Sequence, residues 1–175
     1  MDLNSSIQKV LDLINKKKFE EALNILNEFK QQDHRILFLK GTIYLSQKKI
    51  DLAEQNLIAA SKLNNQNYSI FHNLGIIYGI KGNNQSALEN FIKAANINGH
   101  LESLSEIGQI YLNQNNFVQA KKYFEEALKK DNNHKRTNMR IGNMYLKMNE
   151  HKKGWSFIYK ATGLIRFSEN GMKIV

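Results

Sequence analysis

One feature constrains the fold of this chain more than any other, and it is a pattern that recurs about every 34 residues. Glycine stands at four positions separated by 34, 33 and 34 residues, and a tyrosine follows each glycine three residues later. These residues are Gly41, Gly75, Gly108 and Gly142, with Tyr44, Tyr78, Tyr111 and Tyr145. A period of roughly 20–50 residues is typical of proteins that stack one small structural unit several times. The sequence therefore predicts a repeat protein.

The second half of each period carries three more columns. Twelve residues after each glycine stands a small residue, four further on a large apolar one, and three beyond that an alanine. The columns are Ala53, Ala87, Ala120 and Gly154; Leu57, Phe91, Phe124 and Ile158; and Ala60, Ala94, Ala127 and Ala161. Such spacings place the residues on one face of an α-helix, and small residues let two helices approach closely. Each period thus predicts two packed helices, with Gly108 opposite Ala120.

This set of columns resembles the tetratricopeptide repeat (TPR) family, whose signature has the same period and small and aromatic positions. The resemblance spans residues 3–167 and implies an all-α fold, a right-handed α-solenoid of about five helix-turn-helix hairpins. The expected units are approximately residues 3–33, 34–67, 68–100, 101–134 and 135–167. The first unit is degenerate, because Val10 stands at the glycine position and the unit is shorter. Terminal repeats are commonly atypical in this way.

Residues able to carry chemistry are sparse. The chain has no cysteine, which excludes disulfides and thiolate metal sites. No two of its five histidines are spaced four apart on one helix, and three of them occupy equivalent junctions between repeats. No glycine-rich phosphate loop or nucleophile elbow is present. We therefore expect no catalytic residue, no metal site, no cofactor and no enzymatic activity.

The sequence also lacks features of membrane insertion or secretion. No apolar run approaches the roughly 18 residues of a membrane span. The first residues carry Asp2 where a signal peptide would carry bases, and no apolar core follows. These observations favour a cytoplasmic protein.

The TPR resemblance implies that the first helix of each hairpin lines a concave groove that binds a partner segment. Helix geometry then selects the residues beside the glycine and tyrosine columns as candidates. They are Arg35, Phe38 and Thr42; His72, Asn73 and Ile76; Glu106 and Gln109; and Arg136, Met139, Arg140, Asn143 and Lys147. Their chemistry changes along the chain from apolar, through weakly acidic, to basic. This suits a protein or peptide partner with apolar residues at one end and acidic residues at the other.

The basic end leaves a second function open. Residues 129–175 hold 11 Lys and Arg against three acidic residues. Arg136 and Arg140 lie four residues apart, where like charges repel by a few tenths of a kcal/mol, with no acid in the same turn. An external anion would relieve that repulsion. RNA or another anionic polymer is therefore the alternative partner. Against it, most aromatic residues lie in the core columns rather than beside these basic side chains, so few rings are available for nucleobases to stack on.

The last segment, residues 164–175, contains Asn170-Gly171, which is a strong signal for a β-hairpin. A turn at these two residues predicts that Phe167 pairs with Ile174. A helical cap is the alternative, although Gly171 inside a helix costs about 1 kcal/mol. The apolar residues of such a hairpin also predict self-association, or binding of a partner, through the C-terminal tail.

Overall fold

A computed structural model describes residues 2–163 with their side chains, and the backbone of residues 165–168 and 171–174. Over these residues the chain forms ten α-helices followed by two short strands. The helices are α1 Leu3–Asn15, α2 Phe19–Asn27, α3 His34–Ser46, α4 Ile50–Leu63, α5 Tyr68–Ile80, α6 Asn84–Asn98, α7 Leu101–Asn113, α8 Phe117–Lys130, α9 Lys135–Lys147 and α10 His151–Thr162. The all-α prediction is confirmed. In the described part of the chain, no helix is long and apolar enough to cross a membrane.

The odd-numbered helices, which we call first helices, all end in the same tight turn. In each turn one backbone N–H reaches back five residues to a carbonyl, as from Asn116 to Tyr111 and from Glu150 to Tyr145, both at 2.9 Å. The residue before each of these donors has a positive φ of 57–74°. These residues are Lys17, Lys48, Gly82, Asn115 and Asn149. This is the Schellman arrangement, which satisfies carbonyls at a helix end and lets the chain reverse into the second helix.

The chain divides into two compact units, one ending at Asn90 and the other beginning at Phe91. In the first unit α1 packs on α2 and α3 on α4, around a core that includes Val10, Ala22 and Ile43. The degenerate first repeat is therefore a helical hairpin like the others, with the buried Val10 at the glycine position. In the second unit α7 packs on α8 and α9 on α10, around a core that includes Phe124 and Met144.

Within a hairpin, the large side chain of the second helix packs directly on the glycine of the first. A Cβ atom added to Gly108 would lie 2.6 Å from two ring carbons of Phe124. Gly41 meets Leu57 and Gly142 meets Ile158 in the same way. Gly108 and Ala120 are both buried, as predicted, and a direct contact between them stays a prediction. Helical side chains lean towards the N-terminus of their helix, so the ring one turn later reaches the glycine.

This contact generates a prediction about stability. Gly108→Ala should destabilise the second unit by on the order of 1–3 kcal/mol, because the fully buried Phe124 has no space to yield to an added methyl group. Urea unfolding followed by circular dichroism measures the loss.

The matched control is Gly79→Ala, since an added Cβ at Gly79 meets nothing within 4 Å. Gly79 lies within α5, so alanine there should stabilise the chain by about 0.5–1 kcal/mol through its better helix propensity. Equal effects of the two substitutions would show that the close approach at Gly108 does not hold the hairpin.

The chain beyond α10 forms a β-hairpin rather than a helical cap. Helix α10 ends at Thr162, with Gly163 in the left-handed conformation at φ 70°. Strands β1 Ile165–Ser168 and β2 Gly171–Ile174 then pair antiparallel, with Ile165 opposite Ile174 and Ser168 opposite Gly171. The strands pair as the predicted hairpin, but Phe167 lies opposite Met172, two residues from the predicted Ile174. Gly171 begins β2 instead of standing in the turn, and moving the turn by one residue shifts the pairing by two; residues 169–170 lie outside the described part.

Candidate functional site

The first helices of successive hairpins lie side by side within each unit. In the first unit, the Asn73 amide of α5 donates to the hydroxyl of Thr42 on α3 at 3.3 Å. In the second unit, side chains of α7 bond directly to side chains of α9. The predicted groove residues thus fall into two sets. The first unit holds Arg35, Phe38, Thr42, His72, Asn73 and Ile76; the second holds Glu106, Gln109, Arg136, Met139, Arg140, Asn143 and Lys147.

Arg140 is the centre of the network between α7 and α9. Its Nη2 donates to both carboxylate oxygens of Glu106 at 2.8 Å, and its Nη1 donates to the Ser105 hydroxyl at 2.9 Å. The Thr137 hydroxyl also donates to the Ser105 hydroxyl, at 2.9 Å. Ser105 and Thr137 are fully buried, and the side chains of Arg140 and Glu106 are only 16% and 21% exposed. Charge-assisted bonds of this kind are stronger than neutral ones, so they hold α9 firmly against α7.

The network changes the interpretation of the two arginine charges. No acid lies in the same turn of α9, but Glu106 of α7 stands beside both Arg136 and Arg140, at 3.4 Å from the Arg136 guanidinium. The acid comes from the preceding repeat, 34 residues before Arg140, and not from the same helix. The arginine charges therefore do not by themselves indicate an external anion. Arg136, with 65% of its side chain exposed, is the member of the pair that faces solvent.

Breaking the Arg140–Glu106 pair should destabilise the second unit. Arg140→Met should cost on the order of 1–3 kcal/mol, because a largely buried carboxylate loses its charged partner. Glu106→Gln and the double variant complete a thermodynamic cycle in urea unfolding, with an expected coupling of at least about 0.5 kcal/mol.

Arg136→Met is the matched control and should change stability by less than about 0.5 kcal/mol, as is usual for an exposed ion pair. A cycle with no coupling between Arg140 and Glu106 would mean that the helices are held by packing alone.

Arg35 and Thr42 are also engaged within the first unit. The Arg35 guanidinium bonds to the Asp33 carboxylate at 2.8 Å and to the Asn4 side chain of α1 at 2.8 Å. Asp33 in turn caps α3 by accepting the backbone N–H of Arg35. The hydrogen bond from Arg35 holds the pKa of Asp33 at about 2, below its usual value. The Thr42 hydroxyl donates to the carbonyl of Phe38 at 2.9 Å.

The remaining candidates differ in chemistry between the units. In the first unit, Phe38 and Ile76 are half-buried, and Ile80, one turn beyond Ile76, is 58% exposed. In the second unit, Asn143 and Lys147 are exposed like Arg136, while Met139 and Gln109 are half-buried and Gln109 donates to Asn113. The first helices therefore expose apolar residues in the first unit and polar or basic residues in the second.

Two histidines at junctions between repeats lie at the N-termini of first helices, where their rings contact hydroxyl groups of the first turn. The Nδ1 atom of His100 lies 2.9 Å from the Ser103 hydroxyl at the start of α7, and that of His134 lies 2.7 Å from the Thr137 hydroxyl at the start of α9. Burial lowers the pKa of His100, and the nearby Glu102 carboxylate only partly opposes this. The neutral imidazole can then accept the N–H of Ser103 as a cap. Across the residues described, no three acidic or histidine side chains converge as metal ligands would.

Sequence reasoning missed a second surface, because it considered only the first helices. A cleft of about 520 Å³ lies in the second unit between the second helices α6 and α8, above α7. The signal that could have indicated it is the pair of lysine doublets, Lys121-Lys122 and Lys129-Lys130, one on each side of the Phe124 column.

Comparison with known proteins agrees with this architecture. Sequence models described as "Tetratricopeptide repeat" match residues 34–67, 68–100 and 101–134, which together are more than half of the chain. A search of curated proteins found no match.

Solved structures are similar over nearly the whole length. A structure titled as the functional characterization of Pseudomonas aeruginosa PilF has a TM-score of 0.83 at 17% identity, with 91% of this chain and 75% of that chain covered. MamA AMB-1 has a TM-score of 0.71 at 20% identity, with 91% and 90% covered. YrrB, titled "a TPR protein with an unusual peptide-binding site", has a TM-score of 0.71 at 19% identity, with 93% and 86% covered. At these identities the likeness shows the fold alone, and together with the matching repeats and their glycine and tyrosine columns it establishes that this chain belongs to the tetratricopeptide repeat family.

Proposed function

We propose that this chain is a non-catalytic scaffold or adaptor that binds a segment of a partner protein along its first helices. The observation that carries the proposal is the direct bonding of neighbouring first helices, through Asn73 and Thr42 in one unit and through Arg140 and Glu106 in the other. Helices held side by side present a shared, preorganised surface, which lowers the entropic cost of binding an extended segment. Tetratricopeptide repeat proteins bind protein or peptide partners, and a cytoplasmic location remains a prediction of the sequence.

The exposed chemistry indicates what kind of segment fits. Phe38, Ile76 and Ile80 favour apolar partner residues in the first unit. In the second unit, an acidic partner residue would meet Arg136 and Lys147, because the charge of Arg140 is already balanced by Glu106. Complementary charge of this kind increases the association rate and selects the partner.

The alternative partner, RNA, is less well supported. Proteins that bind single-stranded RNA use exposed aromatic rings on which bases stack. In the second unit, Tyr111 stacks on Tyr123 and Tyr145 stacks on Phe157, with ring centroids 5.6 and 5.7 Å apart. The Lys122 and Lys153 ammonium groups also lie over Tyr123 and Tyr145. These ring faces are therefore engaged within the protein, which favours a protein partner.

Affinity purification with and without nuclease, followed by mass spectrometry, identifies the partner and separates the two hypotheses. The variant Arg136→Glu/Lys147→Glu should then weaken binding of the purified partner by about tenfold or more, and added salt should weaken wild-type binding. Isothermal titration calorimetry measures both effects.

The control is Lys16→Glu/Lys17→Glu, an equal charge change at exposed positions on the turn of the first repeat. It should change the affinity less than about twofold, as expected of charges far from a contact. Equal losses from both variants would indicate non-specific attraction, and loss of the partner on nuclease treatment would favour RNA.

Self-association through the C-terminal tail remains part of the proposal. A two-stranded hairpin has two unpaired edges and is marginally stable alone, so pairing with another strand would stabilise it. Deleting residues 164–175 should leave the helical circular dichroism signal intact while abolishing any dimer seen by light scattering. Collapse of the helical signal would instead show that the hairpin is needed to cap the repeats.

A further inference from the structure

The cleft between α6 and α8 has an apolar interior. Its floor is formed by Leu104 and Ile107 of α7, which are buried. Its walls include Ile92 and Ala95 of α6 and Tyr123 of α8, which are half-buried. All of these residues belong to the second unit. The volume of about 520 Å³ is within the range of sites that hold small ligands or a few side chains.

The rim of the cleft is basic. Lys122, Lys129 and Lys130 line it and are exposed, and only one carboxylate, that of Glu126, lines it with them. Lys130 crosses the junction after α6, since its Nζ atom lies 2.8 Å from where a Cβ of Gly99 would stand. Gly99 has a φ of 65°, a conformation that glycine adopts without strain. Because glycine has no side chain, the Lys130 ammonium group has room beside it. The rim thus combines three ammonium groups around an apolar interior.

We propose that this cleft is a second docking site, which takes an acidic segment of a partner protein with one apolar side chain inserted between α6 and α8. The site lies on the second helices, so it goes beyond the function proposed for the first helices. Carboxylates of the segment pair with Lys122, Lys129 and Lys130, and the inserted side chain covers Ile92, Ala95 and Tyr123. Apolar burial supplies affinity, and the charges supply orientation and selectivity.

The charge of this chain argues for a foreign segment rather than a second copy. Residues 1–90 hold 11 Lys and Arg against nine acidic residues, and residues 91–175 hold 14 against seven. Neither part therefore carries the net negative charge that would attract the basic rim of a second copy. Nucleic acid fits the interior less well, because the Tyr123 ring is already stacked on Tyr111 and has the Lys122 ammonium 5.5 Å from its centroid. An acidic peptide with one apolar side chain complements both the lysines of the rim and the apolar interior.

The first unit contains a comparable cleft that provides a control. It measures about 490 Å³ and is lined by Ile58, Ala59 and Leu63 of α4, with Lys62 as its only charged lining residue. By the repeat spacing, Lys62 occupies the position that Lys129 occupies in the second unit. A cleft beside a second helix is therefore present in both units, whereas the basic rim belongs to the cleft at α6 and α8.

The test uses a fluorescein-labelled synthetic peptide with one phenylalanine between runs of glutamate, titrated with the full chain and followed by fluorescence anisotropy. Lys122→Glu/Lys129→Glu should weaken binding by about tenfold or more, and Lys62→Glu should change it less than about twofold. Lys122→Gln/Lys129→Gln should produce a smaller loss and keeps the test valid if charge reversal disturbs folding. Replacing the phenylalanine of the peptide by serine should weaken binding by about tenfold, since the apolar anchor is lost.

Several outcomes would overturn the inference. They are the absence of saturable binding, equal losses from Lys62→Glu and the cleft variants, equal binding of the serine peptide, and tighter binding of an oligouridylate with the same lysine dependence. Loss of peptide binding in Arg136→Glu/Lys147→Glu but not in the cleft variants would place the peptide on the first helices. That last result would reject the second site while leaving the proposed function intact.

Discussion

In three of the described hairpins, a large side chain of the second helix packs directly on a glycine of the first helix. Phe124 on Gly108 and Leu57 on Gly41 leave no space for even a methyl group. This contact sets the distance between the two helices, and the Schellman turn that follows each first helix sets their connection. With both constraints met, the opposite faces of the helices are free to vary, and those faces carry the surfaces considered for binding.

The second unit shows how charge is distributed over such a framework. Between first helices, Arg140 and Glu106 are largely buried and neutralise each other, so their role is to hold α9 on α7. Between second helices, Lys122 and Lys129 are exposed, and Glu126 supplies the carboxylate that lines the cleft with them. Removing one partner of a charge pair inside the protein is destabilising, whereas a charge that remains exposed at the rim of an apolar cleft can attract a partner. The net charge of this region therefore does not show which basic side chains are available to a partner.

The two proposed surfaces use different parts of the same repeat. The face of the first helices relies on neighbouring helices that are bonded side by side, as through Asn73 and Thr42. The cleft relies on the space between the second helices α6 and α8, and its basic lining is not repeated in the cleft beside α4. Because stacked repeats share one packing geometry, exposed side chains can change the chemistry of one cleft without changing the fold.

The sequence by itself determined the repeat, the helices and the turns, because each depends on residues that are close in the chain and recur with a helical spacing. It also predicted the C-terminal hairpin. Only the tertiary structure decided that the Phe124 ring packs on Gly108, that Glu106 balances Arg140, and that Ser168 pairs with Gly171. These contacts join different elements, and their partners depend on the lean of a side chain, on the stacking of repeats and on the position of a turn. Periodicity along one helix does not contain that information.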